Sequence, residues 1–347
     1  MERTVKVKDC PVGSTIGKDI YKKDNNRLPL VTEGSTFTER VKTLLLSNDI
    51  EEITILIEEE SEQLEELDEG LKVSKDIEKF KNSFFPFDDF EKRYKNHLNL
   101  VEVIFGKIIS GKHIRIKAFN FIANYYISNT DQLPTIIKYI NSNTFEDRGK
   151  THHSLSVAIY SIFQGLKLGF EEERLREIFI GALLHDLGKV TGIADEQDHT
   201  VVGYDYIKDK KSYSMVIKNI ILLHHEAEDG TGYPNGLAGD KIPLEAKIVS
   251  IANNYDNLVR NVKESQLVVF QELLNLAYSS KLDLELTLRF VNKISNIYSG
   301  SKIKFKNGNE GYIEFIHPKE VRHPIVRVKD RLIDTANNKK YRNFKFI

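Results

Sequence analysis

The residues best suited to chemistry in this chain are its histidines, and six of the ten lie between positions 152 and 225. They run as His152-His153, His185-Asp186, His199 and His224-His225, and a glycine-rich stretch from Asp229 to Gly236 follows at once. Neutral imidazole and carboxylate are donors that intermediate transition metals accept, and such groups converging from separate helices can hold more than one ion. Two metals roughly 3.5–4 Å apart form a standard device for in-line attack on a phosphate ester. Neighbouring helical residues point about a third of a turn apart, so His185 and Asp186 fit one ion poorly. A carboxylate can instead bridge two ions while the adjacent imidazole binds one of them.

Two further features sit beside these ligands. Lys189 follows Asp186 by three residues, which on a helix puts both on nearly the same face. An ammonium there can neutralise charge developing on a phosphoryl oxygen, although a solvent-facing lysine beside a break at Gly188 has the same spacing. The stretch from Asp229 to Pro243 holds four of the chain's twenty glycines, and glycine allows a backbone to approach closely where other residues cannot. Within it, Gly232, Tyr233 and Pro234 are candidates for contacting a substrate, Tyr233 by stacking on a base or bonding a phosphate.

The elements that must position these groups are helical. Apolar residues recur at three-to-four spacing over Leu155–Leu168, Arg174–Leu184, Thr200–Ile207, Ser214–His224 and Leu244–Leu258. Two more helices, near Gln266–Ser279 and Leu284–Ile297, close the bundle. Upstream, Ile77, Phe80, Phe84, Leu98, Val101, Ile104 and Ile108 mark a helical connector. The first 57 residues read as a small α/β unit. It has strands over Thr4–Lys8, Arg27–Val31 and Ile53–Ile57, a turn at Pro11–Gly13, and a helix opened by Thr36 and Glu39 with capping-box spacing. An acidic run from Glu58 to Glu69 marks a boundary. After Gly300, Lys302–Lys306 alternates strictly, Asn307-Gly308 signals a hairpin, and Tyr312–Ile316 and Ile325–Val328 continue as strands.

The composition sets limits on partners. A formal net charge of −1 gives no overall field to recruit nucleic acid or an anionic membrane. Residues 301–347 carry twelve Lys/Arg against five Asp/Glu, read as the solvated face of a small β module without an aromatic stacking platform for nucleic acid. One cysteine, Cys10, excludes an intrachain disulfide and fits a reducing cytosol. No apolar stretch spans a bilayer and no signal-peptide core opens the chain, so a cytoplasmic location is expected.

The ordered motifs resemble those of the HD-GYP family, a branch of the HD phosphohydrolase superfamily that hydrolyses the bacterial messenger cyclic di-GMP. The matching segments are His153-Ser154 with Val157-Ala158, and Ala182 to Lys189 around His185-Asp186. His199 with Gly203, His224-His225-Glu226, Asp229-Gly230-Thr231-Gly232-Tyr233-Pro234 and Gly239 to Pro243 follow. The match covers roughly residues 150–260. It implies a mainly α fold, with an HD-type helical bundle carrying the metal site between a small N-terminal α/β module and a small C-terminal β-barrel-like module. The implied boundaries are 1–68 for the regulatory or docking module, 69–149 for the connector, 150–299 for the phosphohydrolase domain and 300–347 for the β module. It also implies metal ligation by His153, His185, Asp186, His199, His224 and His225, with Lys189 on the substrate phosphate. Five imidazoles with oxygen donors suit octahedral iron or manganese better than a four-coordinate structural zinc site.

Two departures from the family pattern matter. The last ligand position, usually the first acid of an Asp-x-x-Asp pattern, is Asn253, while the second acid, Asp256, is retained. Asparagine offers a neutral carbonyl oxygen and no charge. Four residues before His153, where some members place a glutamate for a third ion, stands Gly149, so two divalent ions at most are expected. Two classes of function follow. One is a metal-dependent phosphodiesterase cutting cyclic di-GMP to pGpG or on to GMP. The other is a degenerate module that binds a cyclic dinucleotide or a protein partner and regulates without turnover. A protein partner on the N-terminal module and a homodimer are both left open by the sequence.

Overall fold

A computed structural model describes residues 2–10, 14–21, 29–35, 37–56, 90–111, 116–142, 149–192, 198–261 and 265–347. The turn expected at Pro11–Gly13, Thr36, His113 and the acidic run lie outside the described residues, as does the start of the connector. The chain falls into two compact units, Met1–Arg93 and Tyr94–Ile347.

In the first unit, β1 (Glu2–Lys6) and β2 (Thr15–Ile16) flank β3 (Glu52–Leu56), all antiparallel, with Val5 opposite Ile53. Strand β3 alternates so that Ile53 and Ile55 point inward, onto Val7, Ile16, Phe37 and Leu45. Helix α1 (Glu39–Leu46) is capped by Thr38, whose Oγ1 accepts the Val41 amide at 3.2 Å. The cap is therefore two residues later than the Thr36–Glu39 spacing suggests. Val31 pairs with Ile20 as an isolated bridge rather than within a strand.

The second unit is built from helices α2 (Phe90–Ile109), α3 (Lys117–Ser128), α4 (Leu133–Asn141), α5 (Lys150–Gly165), α6 (Glu172–Leu183), α7 (Leu187–Thr191), α8 (His199–Ile207), α9 (Met215–Leu223), α10 (Leu244–Asn261), α11 (Gln266–Tyr278) and α12 (Leu284–Asn296). Helix α5 is buried over nearly its whole length and packs against α6 and α10, while α9 packs on α6 and α8 on α7. The connector helices join this body: α3 packs on α6, where Arg176 Nε donates to Asn124 Oδ1 at 2.8 Å. Asn141, at the end of α4, donates to the hydroxyls of Tyr255 (2.8 Å) and Tyr298 (2.9 Å) and accepts from Tyr160 (2.6 Å). Three helices are thereby tied by one half-buried amide, whose polar atoms are all paired. No described helix is long and apolar enough to cross a membrane.

The C-terminal strands β4 (Lys302–Phe305), β5 (Glu310–Phe315), β6 (Ile325–Val328), β7 (Arg331–Asp334) and β8 (Phe344–Phe346) form one antiparallel sheet in the order β7-β6-β5-β4-β8. The order is linear, with β7 and β8 at its edges, so the module is an open sheet and not the barrel the sequence suggests. Strand β7 is exposed at Arg331, Leu332 and Asp334, lacking the buried face that closure would need.

Candidate metal centre

Helix α5 presents His153 from its first turn, and α8 presents His199 from its first residue. His185 and Asp186 lie in the turn between α6 and α7, not on a helix, and His224-His225 lie at the C-terminal end of α9. Two glycines permit the approach. A Cβ on Gly188 would stand 2.1 Å from the His199 carbonyl oxygen, so only glycine lets α7 and α8 touch there. A Cβ on Gly232 would stand 2.4 Å from the His225 carbonyl oxygen and the Ala227 amide, so the glycine-rich loop lies directly on the histidine pair.

The side chains meet in two groups that share one carboxylate. His153, His185 and Asp186 form the first, and Asp186, His199, His224 and His225 the second, each with donor atoms within 4.8 Å of one another. His153 Nε2 faces His185 Nε2 at 3.2 Å, and His199 Nε2 faces His224 Nε2 at 3.4 Å. Asp186 Oδ1 lies 3.2 Å from His199 Nε2 and 3.2 Å from Lys189 Nζ, while Oδ2 lies 3.6 Å from His185 Nε2.

The far nitrogens explain why the near ones converge. His153 Nδ1 donates to Asp256 Oδ2 at 2.6 Å, and His185 Nδ1 donates to the Ala182 carbonyl at 2.7 Å. His224 Nδ1 donates to the carbonyls of Ile221 (3.0 Å) and Ile220 (3.2 Å). With the proton held at Nδ1, each Nε2 turns a lone pair inward, the outer-shell arrangement of metal-binding imidazoles. Among the described residues His225 Nε2 is buried with no hydrogen-bond partner, and Asp186 Oδ1, though 3.2 Å from Lys189 Nζ and His199 Nε2, makes no well-aligned hydrogen bond. Unpaired buried acceptors cost about 1–3 kcal/mol each unless something completes them. The donor set and its orphaned atoms fit divalent cations.

Protonation follows the same logic. Burial pushes His185 down to about 4 and His225 down to about 3, and it holds His224 well below the usual imidazole range. For Asp186 burial acts upward, but the surrounding His185, His199, His224 and Lys189 outweigh it and keep the carboxyl well below its ordinary value. At neutral pH His185, His224 and His225 are therefore neutral imidazoles beside the ionised Asp186 carboxylate, the forms that ligate metals.

The remaining expected residues fall in differing places. Asn253 is buried on α10, and its amide oxygen accepts from Asn257 Nδ2 at 3.1 Å. Tyr233 stacks on His225 with centroids 4.7 Å apart and planes at 14°, and its amide donates to the His225 carbonyl at 3.2 Å. Pro234 follows through a cis peptide bond. His152 turns elsewhere, its Nδ1 3.2 Å from Ser156 Oγ and its ring against Tyr94. His97 packs between aromatics with Nδ1 3.1 Å from the Tyr126 hydroxyl. Sequence reasoning missed the work of Glu226. Its buried carboxylate accepts the amides of Asn235 and Leu237, both at 2.8 Å, and so ties the loop to the histidine pair. Its place directly after His225 was the available signal. Asp229 anchors the loop's other side through Lys281 Nζ at 2.7 Å.

Comparison with known proteins agrees with this geometry. Residues 151–258 match the HD domain family. A cyclic di-GMP phosphodiesterase response regulator of Xanthomonas campestris is 37% identical over 109 residues, 27% of this chain and 29% of its own length. A cyclic di-GMP phosphodiesterase of Thermotoga maritima is 27% identical over 54% of this chain and 57% of its own. A 3'3'-cGAMP-specific phosphodiesterase of Vibrio cholerae is 33% identical over 35% of this chain and 26% of its own. The matches thus span well under two thirds of each of these relatives. Among solved structures, Bd1817, an HDG"Y"P protein of Bdellovibrio bacteriovorus, aligns over 84% of this chain and 98% of its own with a TM-score of 0.50 at 22% identity, a likeness of fold alone.

Proposed function

We propose, from the match of residues 151–258 to the HD domain family and their HD-GYP-like motifs, that this protein hydrolyses a phosphodiester bond of cyclic di-GMP, yielding pGpG or GMP. The observation that carries the reading is the pair of ligand groups sharing Asp186, with the Nδ1 atoms of His153, His185 and His224 tied back so that the Nε2 lone pairs converge. Relatives named for cyclic di-GMP hydrolysis supply the substrate.

His153, His185 and Asp186 would hold one divalent ion, and Asp186, His199, His224 and His225 a second, with iron or manganese suited to such donors. Bound there, the ions supply Lewis acidity and a nucleophile at neutral pH. The protein's own groups do the rest. Lys189, held 3.2 Å from Asp186 Oδ1 and partly exposed, is placed to meet charge on a phosphoryl oxygen. Asp256 fixes the ring of His153, and Glu226 holds the Gly232–Pro234 loop, where Tyr233 walls the site beside His225. A base or phosphate of the substrate would lie against Gly232, Tyr233 and Pro234.

One observation favours the second reading, a module that binds the nucleotide or a protein partner without turnover. Asn253 brings no charge to its position, and its oxygen is already bonded to Asn257. The deciding experiment measures metal content together with cyclic di-GMP turnover in added iron(II) or manganese(II). Turnover that disappears in His185→Ala establishes the enzyme. Metal-loaded protein that binds cyclic di-GMP without product, and gains turnover as Asn253→Asp, establishes the lapsed catalyst instead.

A further inference from the structure

A cleft of about 770 Å³ lies between the first turn of α11 and the C-terminal sheet, away from the histidines. Its walls carry Lys304, Lys306, Arg322, Arg342 and Lys345, with His323 among them, and no described lining residue is acidic. Two other cations of the sheet are matched: Lys302 pairs with Glu310 and Arg327 with Glu314, both at 2.6 Å. Those of the cleft are not. The side-chain nitrogens of Lys304, Lys306, Arg322 and Lys345 have neither ion pair nor hydrogen bond among the described residues.

The register sharpens the point. Lys304 on β4 stands between Lys345 on β8 and Glu310 on β5, and the Glu310 carboxylate is already paired with Lys302 at 2.6 Å. Like charges directly across an antiparallel pair destabilise a sheet, and a bound anion would reverse that sign. Arg342 is fixed in place, its Nε donating to the Thr335 carbonyl at 3.2 Å and its Nη2 to the Ala336 carbonyl. Among the described residues His323 Nδ1 is buried without a hydrogen-bond partner. Phe344, half-buried on the edge strand β8, adds aromatic surface, and the positive end of α11 adds to the field. The volume lies within the roughly 300–1,000 Å³ of small-ligand sites. The cations crowd one concavity and do not extend as a strip that could track a nucleic-acid strand.

We propose that this cleft is a binding site for a small nucleotide bearing two or more phosphates. The phosphates would lie among Lys304, Lys345, Arg322 and Arg342, and the base against Phe344. The test is calorimetric titration of the full chain with ATP and, separately, with inorganic pyrophosphate, in EDTA so that the histidine centre holds no metal. Saturable ATP binding is expected, several-fold weaker on raising salt from about 50 to 200 mM. It should be at least about fivefold tighter than pyrophosphate binding, because of the base contact. The double variant Lys304→Glu/Lys345→Glu should bind at least about tenfold more weakly, whereas Asp186→Ala should bind as the parent does. Arg322→Ala, a change at an exposed side chain, gives the same reading should the double variant fail to fold. No saturation by about 1 mM, equal affinity for pyrophosphate, unchanged affinity in both cleft variants, or loss of binding in Asp186→Ala would each overturn the proposal.

Discussion

The histidine centre and the C-terminal cleft are both organised around polar groups that the protein itself does not complete, and the groups are of opposite kind. At the centre, acceptors face acceptors: Nε2 atoms meet at 3.2 and 3.4 Å around a carboxylate. In the cleft, cations face cations, Lys304 across from Lys345. The sign of the imbalance identifies the sign of the missing ligand in each. Depth sets the energetic scale. His185, His199 and His224 are fully buried, so each unmatched atom carries a substantial desolvation cost, whereas the cleft lysines are exposed and screened by water. Perturbing the centre should therefore have large consequences, and perturbing the cleft small ones.

The sharpest break of that contrast is at the shared ligand. Asp186→Asn keeps the shape but removes the only carboxylate common to both groups. Cyclic di-GMP turnover should fall by about 10³-fold or more, and bound metal should fall with it. Turnover within tenfold of the parent would show that Asp186 is not shared by the ions.

Acid should find the centre next. His185 has a folded value near 4 against 6.5 for the free imidazole. As pH falls, the unfolded chain takes up the proton first. Stability is therefore fully present above pH 6.5 and is lost as pH falls from 6.5 towards 4, with His225 acting in the same direction. The loss from His185 alone is about 3 kcal/mol. Denaturant midpoints of the metal-free protein at pH 7, 5.5 and 4.5 measure it, and a flat profile would mean solvated imidazoles.

A smaller effect separates ligand from support. Asp256→Asn leaves every ligand in place but weakens the hold on His153 Nδ1, so metal affinity should drop about 10–100-fold while the fold persists. Titration with manganese(II) distinguishes this from an unchanged affinity, which would make Asp256 a packing residue. The smallest effect belongs to the cleft. Lys345→Glu replaces a like pair with an opposite one across β4 and β8, and should stabilise the protein by about 0.5 kcal/mol in low salt. Thermal melting that instead shows a loss would mean that Lys345 has a partner holding the sheet together.

Much of the centre was legible because its signals are local. Three-to-four spacing found α5, α6 and the helices from α8 to α12, though not the short α7, and the order of the histidines marked side chains that the fold brings together. Contacts between distant positions were not legible. The bond from His153 to Asp256 spans 103 residues, and no periodicity reports it. Nor does anything in α4 announce that Asn141 will join Tyr160, Tyr255 and Tyr298. The His185-Asp186 pair reads as helical because apolar residues flank it on both sides, yet the chain turns there. That turn is what lets two adjacent side chains serve one cage. The barrel expectation failed because β7 has no buried face and β8 is three residues long, too short to alternate visibly. The basic tail read as a solvated face because pairing register, which sets Lys304 against Lys345, is not written in composition.

The central claim is that a carboxylate flanked by two sets of imidazoles holds two cations. Anomalous diffraction from crystals grown with manganese(II) tests it most directly. Two peaks should flank the Asp186 carboxylate, a stronger one among His199, His224 and His225. The weaker peak should lie beside His153 and His185, next to the helix where asparagine stands at position 253. No peak at Asp186, or manganese bound only elsewhere, would contradict the account.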